Sequence, residues 1–107
     1  MSVIGELRRR VSVEKASDLS DGAGGFIRVW NLVDTVFAAI RPRRRRERVD
    51  DGRRVGVVTH VVTVRRNSVF SGDIRLLAGG ATYRVLAVED ADPRRRFFDL
   101  WCEEEQA

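Results

Sequence analysis

Apolar residues in this chain recur mainly at every second position, and this period restricts the possible folds more than any other feature of the sequence. Near the start, Leu7, Val11 and Val13 occupy odd positions, and charged or hydroxyl residues fill the even positions between them. Because side chains on a β-strand point alternately to its two faces, the pattern predicts a strand with one buried face. The strands predicted in this way cover residues 7–15, 26–31, 36–40, 55–66, 73–78, 81–89 and 96–103.

Turn-forming residues separate these segments at intervals of about ten residues. Residues 18–25 read DLSDGAGG, Gly79-Gly80 is a two-residue hairpin signal, and residues 67–72 and 90–95 are also rich in turn formers. The spacing predicts an all-β fold, a small barrel or sandwich of about six to seven antiparallel strands. A length of 107 residues predicts one domain spanning residues 1–107. Residues 55–66 are apolar on both faces and predict a central strand, or one partly buried against a neighbouring subunit.

Arginine is concentrated in one segment, residues 41–54, called the arginine segment below. Its eight arginines are Arg41, Arg43, Arg44, Arg45, Arg46, Arg48, Arg53 and Arg54. The segment has no apolar face, so we expect one long, projecting basic loop or a frayed helix, for which residues 44–50 are the candidate stretch. Arginine binds phosphate bidentately and keeps its charge, which suits a nucleic-acid surface. Alternatively, these arginines pair with acids of a neighbouring subunit, for which Glu103, Glu104 and Glu105 are candidates.

The residue types needed for catalysis or metal binding are scarce. His60 is the only histidine and Cys102 the only cysteine, and both are expected to be structural and at least partly buried. We find no nucleophile–base–orienter set, no phosphate-binding glycine loop and no metal motif, so we expect neither an enzyme nor a cofactor. No apolar run of about twenty residues is present, so no membrane span is expected. The net charge of +4 suggests an anionic partner.

The aromatic residues allow two interpretations. Phe97 and Trp101 share the outward face of the last strand, which favours a protein interface. Trp30, Tyr83, Phe97 and Trp101 could instead stack bases, as in barrels that bind single strands. Such a binder should interleave aromatic and basic residues, whereas here they occupy different segments, so the pattern favours the protein interface.

The order of motifs resembles the head closure family, the head–tail joining or stopper proteins of tailed bacteriophages. The resemblance spans about ninety residues and rests on order and spacing rather than on one motif. The matching motifs are Gly5-Glu6-Leu7-Arg8-Arg9-Arg10-Val11, Gly25 with Trp30, Phe37-Ala38-Ala39-Ile40-Arg41-Pro42, Thr59-His60-Val61-Val62-Thr63-Val64-Arg65, Arg75-Leu76, Gly80, Tyr83, Val85, Val88, Asp90, Asp92, Arg95, Leu100, Cys102 and Glu103.

This resemblance implies a structural connector at the head–tail junction of a phage or phage-like particle, assembled in the bacterial cytoplasm. Its subunits would form a homo-oligomeric ring of six or twelve copies, while an isolated subunit could be monomeric. The ring would lie between the portal or adaptor protein and the tail terminator protein, and help to retain packaged double-stranded DNA. In this family the long loop after the proline-ended strand faces the channel, which here is the arginine segment. The alternative function is a small, free nucleic-acid-binding barrel.

Overall fold

The computed structural model of the protein describes residues 7–44, 47–50 and 54–105, and all regular structure in these ranges is β-strand. The strands are β1 (Arg9–Ser20), β2 (Phe26–Pro42), β3 (Arg48–Asp50), β4 (Val55–Val57), β5 (His60–Arg65), β6 (Ile74–Ala78), β7 (Ala81–Asp90) and β8 (Phe97–Glu104). No helix in the described part of the chain is long and apolar enough to cross a membrane.

Six of the strands form a closed barrel in the order β1-β2-β5-β8-β7-β6, in which every pairing is antiparallel. The pairing of β1 with β6 closes the barrel, so the paired parts of its six strands form no open sheet edge. Strands β3 and β4 form a separate two-stranded sheet, the β3–β4 hairpin. The prediction of a small all-β barrel is therefore confirmed, as is the hairpin turn at Gly79-Gly80 between β6 and β7.

The core lies inside the barrel and follows the alternation seen in the sequence. Val11 and Val13 from β1 meet Leu76 from β6 and Leu100 from β8, and all four are fully buried. Strand β5 lies between β2 and β8, and its residues Val61–Val64 are buried. The prediction that the β-branched segment supplies a central strand is confirmed for this part.

Two predicted boundaries in the first half of the chain are wrong. Residues 26–31 and 36–40 belong to one 17-residue strand, β2, and not to two strands. Val13 pairs with Asp34 but Glu14 pairs with Leu32, so Val33 is an extra residue, a β-bulge. The bulge shifts the alternation of β2 by one residue, and this change of phase looks like a strand end in the sequence.

The predicted strand 55–66 is also divided. Residues 55–57 pair with β3, whereas residues 60–65 enter the barrel. Between them, Val58 is fully buried and the N–H of Thr59 donates to the carbonyl oxygen of Cys102. The chain thus changes partner at this point. A run of β-branched residues indicates a strand, but it does not indicate which strand is its partner.

Strands β1 and β2 extend beyond the barrel as a two-stranded arm, defined here as residues 17–33. Strand β1 pairs with β6 only over Ser12–Lys15, and β2 pairs with β5 only over Ala38–Pro42, so within the arm the two strands pair only with each other. The principal dimensions of the molecule, 54 × 28 × 27 Å, reflect this extension. The predicted turn at residues 18–25 is therefore shorter than expected and occupies residues 21–25, at the tip of the arm.

Candidate functional site

The arginine segment contains regular structure and is attached to the barrel at both ends. At its start, the N–H of Arg43 donates to the carbonyl oxygen of Thr59, and at its end the N–H of Val58 donates to that of Glu47, both at 2.8 Å. Between these bonds, residues 48–50 pair with residues 55–57 in the β3–β4 hairpin. The predicted loop therefore includes a short strand, β3, whose partner strand β4 follows directly after the arginine segment.

Arg41 belongs to the barrel wall. Its guanidinium donates to the hydroxyl of Thr63 at 2.9 Å and lies 3.7 Å from the carboxylate of Asp99. The Thr63 hydroxyl in turn donates to Asp99 at 2.6 Å, and Thr63 is the one polar residue in the buried set of the described chain. This network satisfies a buried hydroxyl and fixes Arg41 where β2 leaves the barrel.

Arg43 is held by contacts with an aromatic ring and an acid. Its guanidinium lies 4.7 Å from the centroid of the Trp101 ring, an arrangement that attracts the cation to the ring face. It also forms an ion pair with Glu47 at 3.2 Å. Arg43 therefore connects the start of the arginine segment to β8.

Strand β4, which follows the arginine segment, contacts an ion pair between Arg84 of β7 and Glu103 of β8, called the anchor pair below. The two side chains are 3.0 Å apart; Arg84 also donates to the carbonyl oxygen of Val55, and Glu103 accepts from the N–H of Val57. Gly56 lies so close that an added Cβ would be 2.9 Å from each member of the pair. A glycine here allows β4 to approach the charged side chains, as expected where a backbone packs closely on its neighbours.

Two arginines of the segment remain exposed without such contacts. No ion pair joins Arg44 or Arg48 to another residue in the described ranges, and both side chains are exposed. Arg54 is less accessible and lies 3.9 Å from Asp73. Arg45, Arg46 and Arg53 lie outside the described residues. The structure thus divides the predicted arginine cluster into attached members, Arg41 and Arg43, and outward-facing members, Arg44 and Arg48.

The predicted interface residues of β8 do not all face solvent. Phe97 lies outside the core cluster, yet it is only 2% exposed, and the guanidinium groups of Arg65 and Arg96 each lie 5.6 Å from its ring centroid. Phe97 is therefore covered within the isolated subunit, and an interface role for it stays a prediction. Trp101 is half-buried beneath Arg43.

The acids at the end of the chain differ in their surroundings. Glu103 binds Arg84 and the backbone of β4 within its own subunit, which accounts for both of its carboxylate oxygens. Glu104 is half-buried, and burial and the nearby Glu104 charge raise the pKa of Tyr83. Glu105 is exposed. An interface role for Trp101, Glu104 and Glu105 stays a prediction.

The two side chains with the most reactive groups, Cys102 and His60, lie opposite each other on β8 and β5. Cys102 is fully buried, and burial raises the pKa of its thiol, which disfavours the reactive thiolate. His60 is half-buried; its Nδ1 lies 2.9 Å from the Thr59 hydroxyl and its ring meets Tyr83 edge-on. Among the described residues, no group of three or more His, Cys, Asp or Glu side chains is arranged to hold a metal ion.

The arm is a second notable surface, and the sequence patterns did not indicate it. Its large apolar side chains are exposed, with Phe26 at 74% and Leu32 at 62%, and Leu19, Ile27 and Val33 are also exposed. An exposed apolar group of this size is typical of an interaction surface. The available signal was the excess of apolar residues in 26–33, which is apolar on both faces of the strand.

Comparison with known proteins identifies the family. The phage head completion proteins match residues 3–105, nearly the whole chain. The chain belongs to the phage head completion protein family. This confirms the predicted class, a structural protein of the head–tail junction in a virion or phage-like particle.

A solved structure shares the fold. A chain in the "Virion of native gene transfer agent (GTA) particle" superposes with a TM-score of 0.68 at 23% sequence identity, covering 94% of this chain and 97% of that chain. At this identity the likeness establishes the fold of the described barrel. No curated protein matches the sequence. As a head completion protein, the chain assembles with other proteins of the particle.

Proposed function

We propose that this head completion protein forms a homo-oligomeric ring between the portal or adaptor protein and the tail terminator protein, and that Arg44 and Arg48 face DNA in the channel. The family match over residues 3–105 is the single observation that carries the proposal. The role is structural rather than catalytic, with the barrel serving as a rigid support for the β3–β4 hairpin.

The arrangement of the arginines supports contact with DNA phosphates. Arg41 and Arg43 fix the start of the segment, and the anchor pair fixes β4, the partner strand of β3. The part of the chain that carries Arg44 and Arg48 is therefore supported on both sides. Their guanidinium groups form no ion pair within the described chain, so binding a phosphate would not require breaking one. Phosphate contacts of this kind hold DNA without regard to sequence, as a packaged genome requires.

The alternative, a free barrel that binds single strands, lacks a stacking surface. Trp30 lies under the guanidinium of Arg75 and Trp101 under that of Arg43, at 4.6 and 4.7 Å. Tyr83 and Phe97 are buried. Aromatic platforms that bind bases must expose their ring faces, and these four residues do not offer them together.

The test is DNA retention by particles that carry Arg44→Ser, Arg48→Ser or both. Because each phosphate contact contributes to binding, we expect DNA loss at a lower salt concentration than in wild type, and the earliest loss for the double variant. Arg94→Ser is the matched control, since Arg94 is exposed in the turn before β8, far along the chain from the hairpin. Equal retention by all four variants and wild type would refute contact between these arginines and DNA.

A further inference from the structure

The tip of the arm has a surface unlike the rest of the molecule. Leu19, Phe26 and Ile27 expose large apolar side chains there, each more than half accessible. A two-stranded ribbon is only marginally stable in water, and burial of its exposed apolar side chains by a partner would stabilise it.

The charge of this region is also distinctive. Within the arm the only cationic residue is Arg28, against Asp18 and Asp21, so the arm carries −1 within a chain of net charge +4 and the remainder carries +5. Arg28 itself is occupied by ion pairs with Asp18 and Asp73 at 3.7 and 3.1 Å. The arm therefore presents an apolar and acidic surface, while the rest of the protein is strongly basic.

The loop at the tip is a defined structure. The carboxylate of Asp21 accepts hydrogen bonds from the N–H groups of Ala23 and Gly25 at 2.8 and 3.0 Å, and these bonds lower its pKa. Gly22 and Gly24 have φ values of +79° and +86°, which glycine adopts without strain. Asp21 therefore remains ionised in a fixed position next to Phe26.

A complementary cleft lies on the barrel at the base of the arm. It has a volume of about 540 Å³ and is lined by Leu7, Asp34, Thr35, Val36, Phe37, Arg65, Arg66 and Asn67. Phe37 is 59% exposed, and no ion pair joins Arg65 to another residue of the described chain. The cleft thus offers the exposed Phe37 ring beside Arg65, whose guanidinium lies over the Phe97 ring. The one carboxylate in the cleft lining, Asp34, accepts hydrogen bonds from Asn67 and from the N–H of Thr35.

The arm cannot fill the cleft of its own subunit. Phe26 and Phe37 lie on the same extended strand, eleven residues and roughly 35 Å apart at ~3.3 Å per residue. The arm can reach the cleft of another copy, because the two are not joined by the same strand. A contact between different surfaces of identical subunits is heterologous, and repeated contacts of that kind close into a ring when the rotation allows.

We propose that the tip of the arm docks in the cleft beside Phe37 and Arg65 of a second copy of this chain, so that neighbouring subunits are joined arm to cleft. The apolar side chains of the tip cover the exposed Phe37 ring, and Asp21 approaches Arg65. The proposal rests on the proposed ring and specifies which surfaces connect its subunits.

Cross-linking within purified particles tests the contact. Ala23→Cys places a thiol at the tip and Thr35→Cys places one in the cleft, while the native Cys102 is buried and does not compete. With a short bismaleimide, the double variant should yield a ladder at multiples of the subunit mass, and neither single variant should. The combination of Ala23→Cys with Arg94→Cys is the matched control and should give no ladder.

Two results would overturn the arm-to-cleft contact: no ladder in particles that contain the double variant, or a product in which Ala23→Cys is joined to a protein of another mass. The second result would assign the arm to a different partner. Absence of the protein from the particles is a separate outcome, because it would refute the proposed function itself.

A second pair of variants separates docking from folding. Phe26→Ser with Ile27→Ser should leave the melting temperature of the isolated subunit unchanged, since both side chains are exposed, but should lower the yield of completed particles by roughly tenfold or more. Arg94→Ser changes an exposed side chain outside the arm, the cleft and the hairpin and should leave the yield unchanged. Equal yields from both variants would contradict the proposal.

Discussion

Removal of the Glu103 carboxylate should loosen the β3–β4 hairpin while leaving the barrel closed. In Glu103→Ala, the N–H of Val57 loses an acceptor at 3.1 Å and Arg84 loses its partner at 3.0 Å. A hydrogen bond to a charged group contributes about 1.5–3 kcal/mol, and a partly exposed ion pair adds less than about 1 kcal/mol because water screens it. We expect local opening to become easier by about 2 kcal/mol.

Amide hydrogen exchange at Val57 measures this opening directly. A change of about 2 kcal/mol corresponds to exchange roughly 30-fold faster, since about 1.4 kcal/mol gives a factor of ten. Glu103→Gln keeps an oxygen for the N–H of Val57 but loses the charge, so its exchange should be intermediate. Glu105→Ala removes an exposed carboxylate of the same strand end and should change nothing.

The reasoning would be refuted if Val57 exchanged at the same rate in Glu103→Ala and Glu105→Ala. That result would mean that Glu103 does not support its own hairpin, and would favour the earlier alternative in which it binds an arginine of a neighbouring subunit. An effect seen in the isolated monomer cannot come from a neighbouring subunit, so the assay separates the two alternatives.

Three further predictions concern single side chains. Gly56→Ala should speed the exchange of Val57 by roughly fivefold or more, because the new Cβ displaces the anchor pair; an unchanged rate would contradict the close packing. Thr63→Val should lower the free energy of unfolding in urea by about 1–2 kcal/mol, because Asp99 loses a buried donor; a loss below about 0.3 kcal/mol would argue against that role. Burial opposes ionisation of Asp92, but hydrogen bonds from a neighbouring arginine and two backbone N–H groups outweigh it and lower its pKa from 3.8. A group whose pKa is lowered on folding stabilises the folded state at pH values above its ordinary pKa, and this stabilisation is lost as the pH falls through the folded pKa. Asp92→Asn should therefore weaken the acid dependence of stability below about pH 4. Identical acid unfolding curves would contradict this assignment.

The sequence predicted well the strands whose ends are marked by turn-forming residues, including β7, which contains a register shift between Val85 and Ala87. Strands β6, β7 and β8 lie within about one residue of their predicted bounds, because alternation and glycine turns are local properties. The long strand β2 was divided because the bulge at Val33 reverses the alternation within it. A bulge depends on the partner strand, and the sequence of one strand does not contain that information.

The sequence predicted only part of the candidate site, and the reason is similar. The cluster of arginines is visible in the sequence. It does not show that Arg41 and Arg43 are attached to the barrel while Arg44 and Arg48 face outward. That division depends on contacts with Thr63, Asp99 and Trp101, which lie far along the chain. The covering of Phe97 by arginines has the same origin. Alternation gives the side of the sheet to which a residue points, and it does not give what lies on that side.

A reconstruction of the head–tail junction in assembled particles by electron cryomicroscopy is the most direct test of the central claim, that this protein is a ring subunit whose outward arginines hold packaged DNA. The account predicts a ring of this barrel around the channel, with the guanidinium groups of Arg44 and Arg48 about 3 Å from phosphate oxygens. A ring in which the β3–β4 hairpin faces away from the DNA, with these arginines paired to acids of an adjacent subunit, would contradict it.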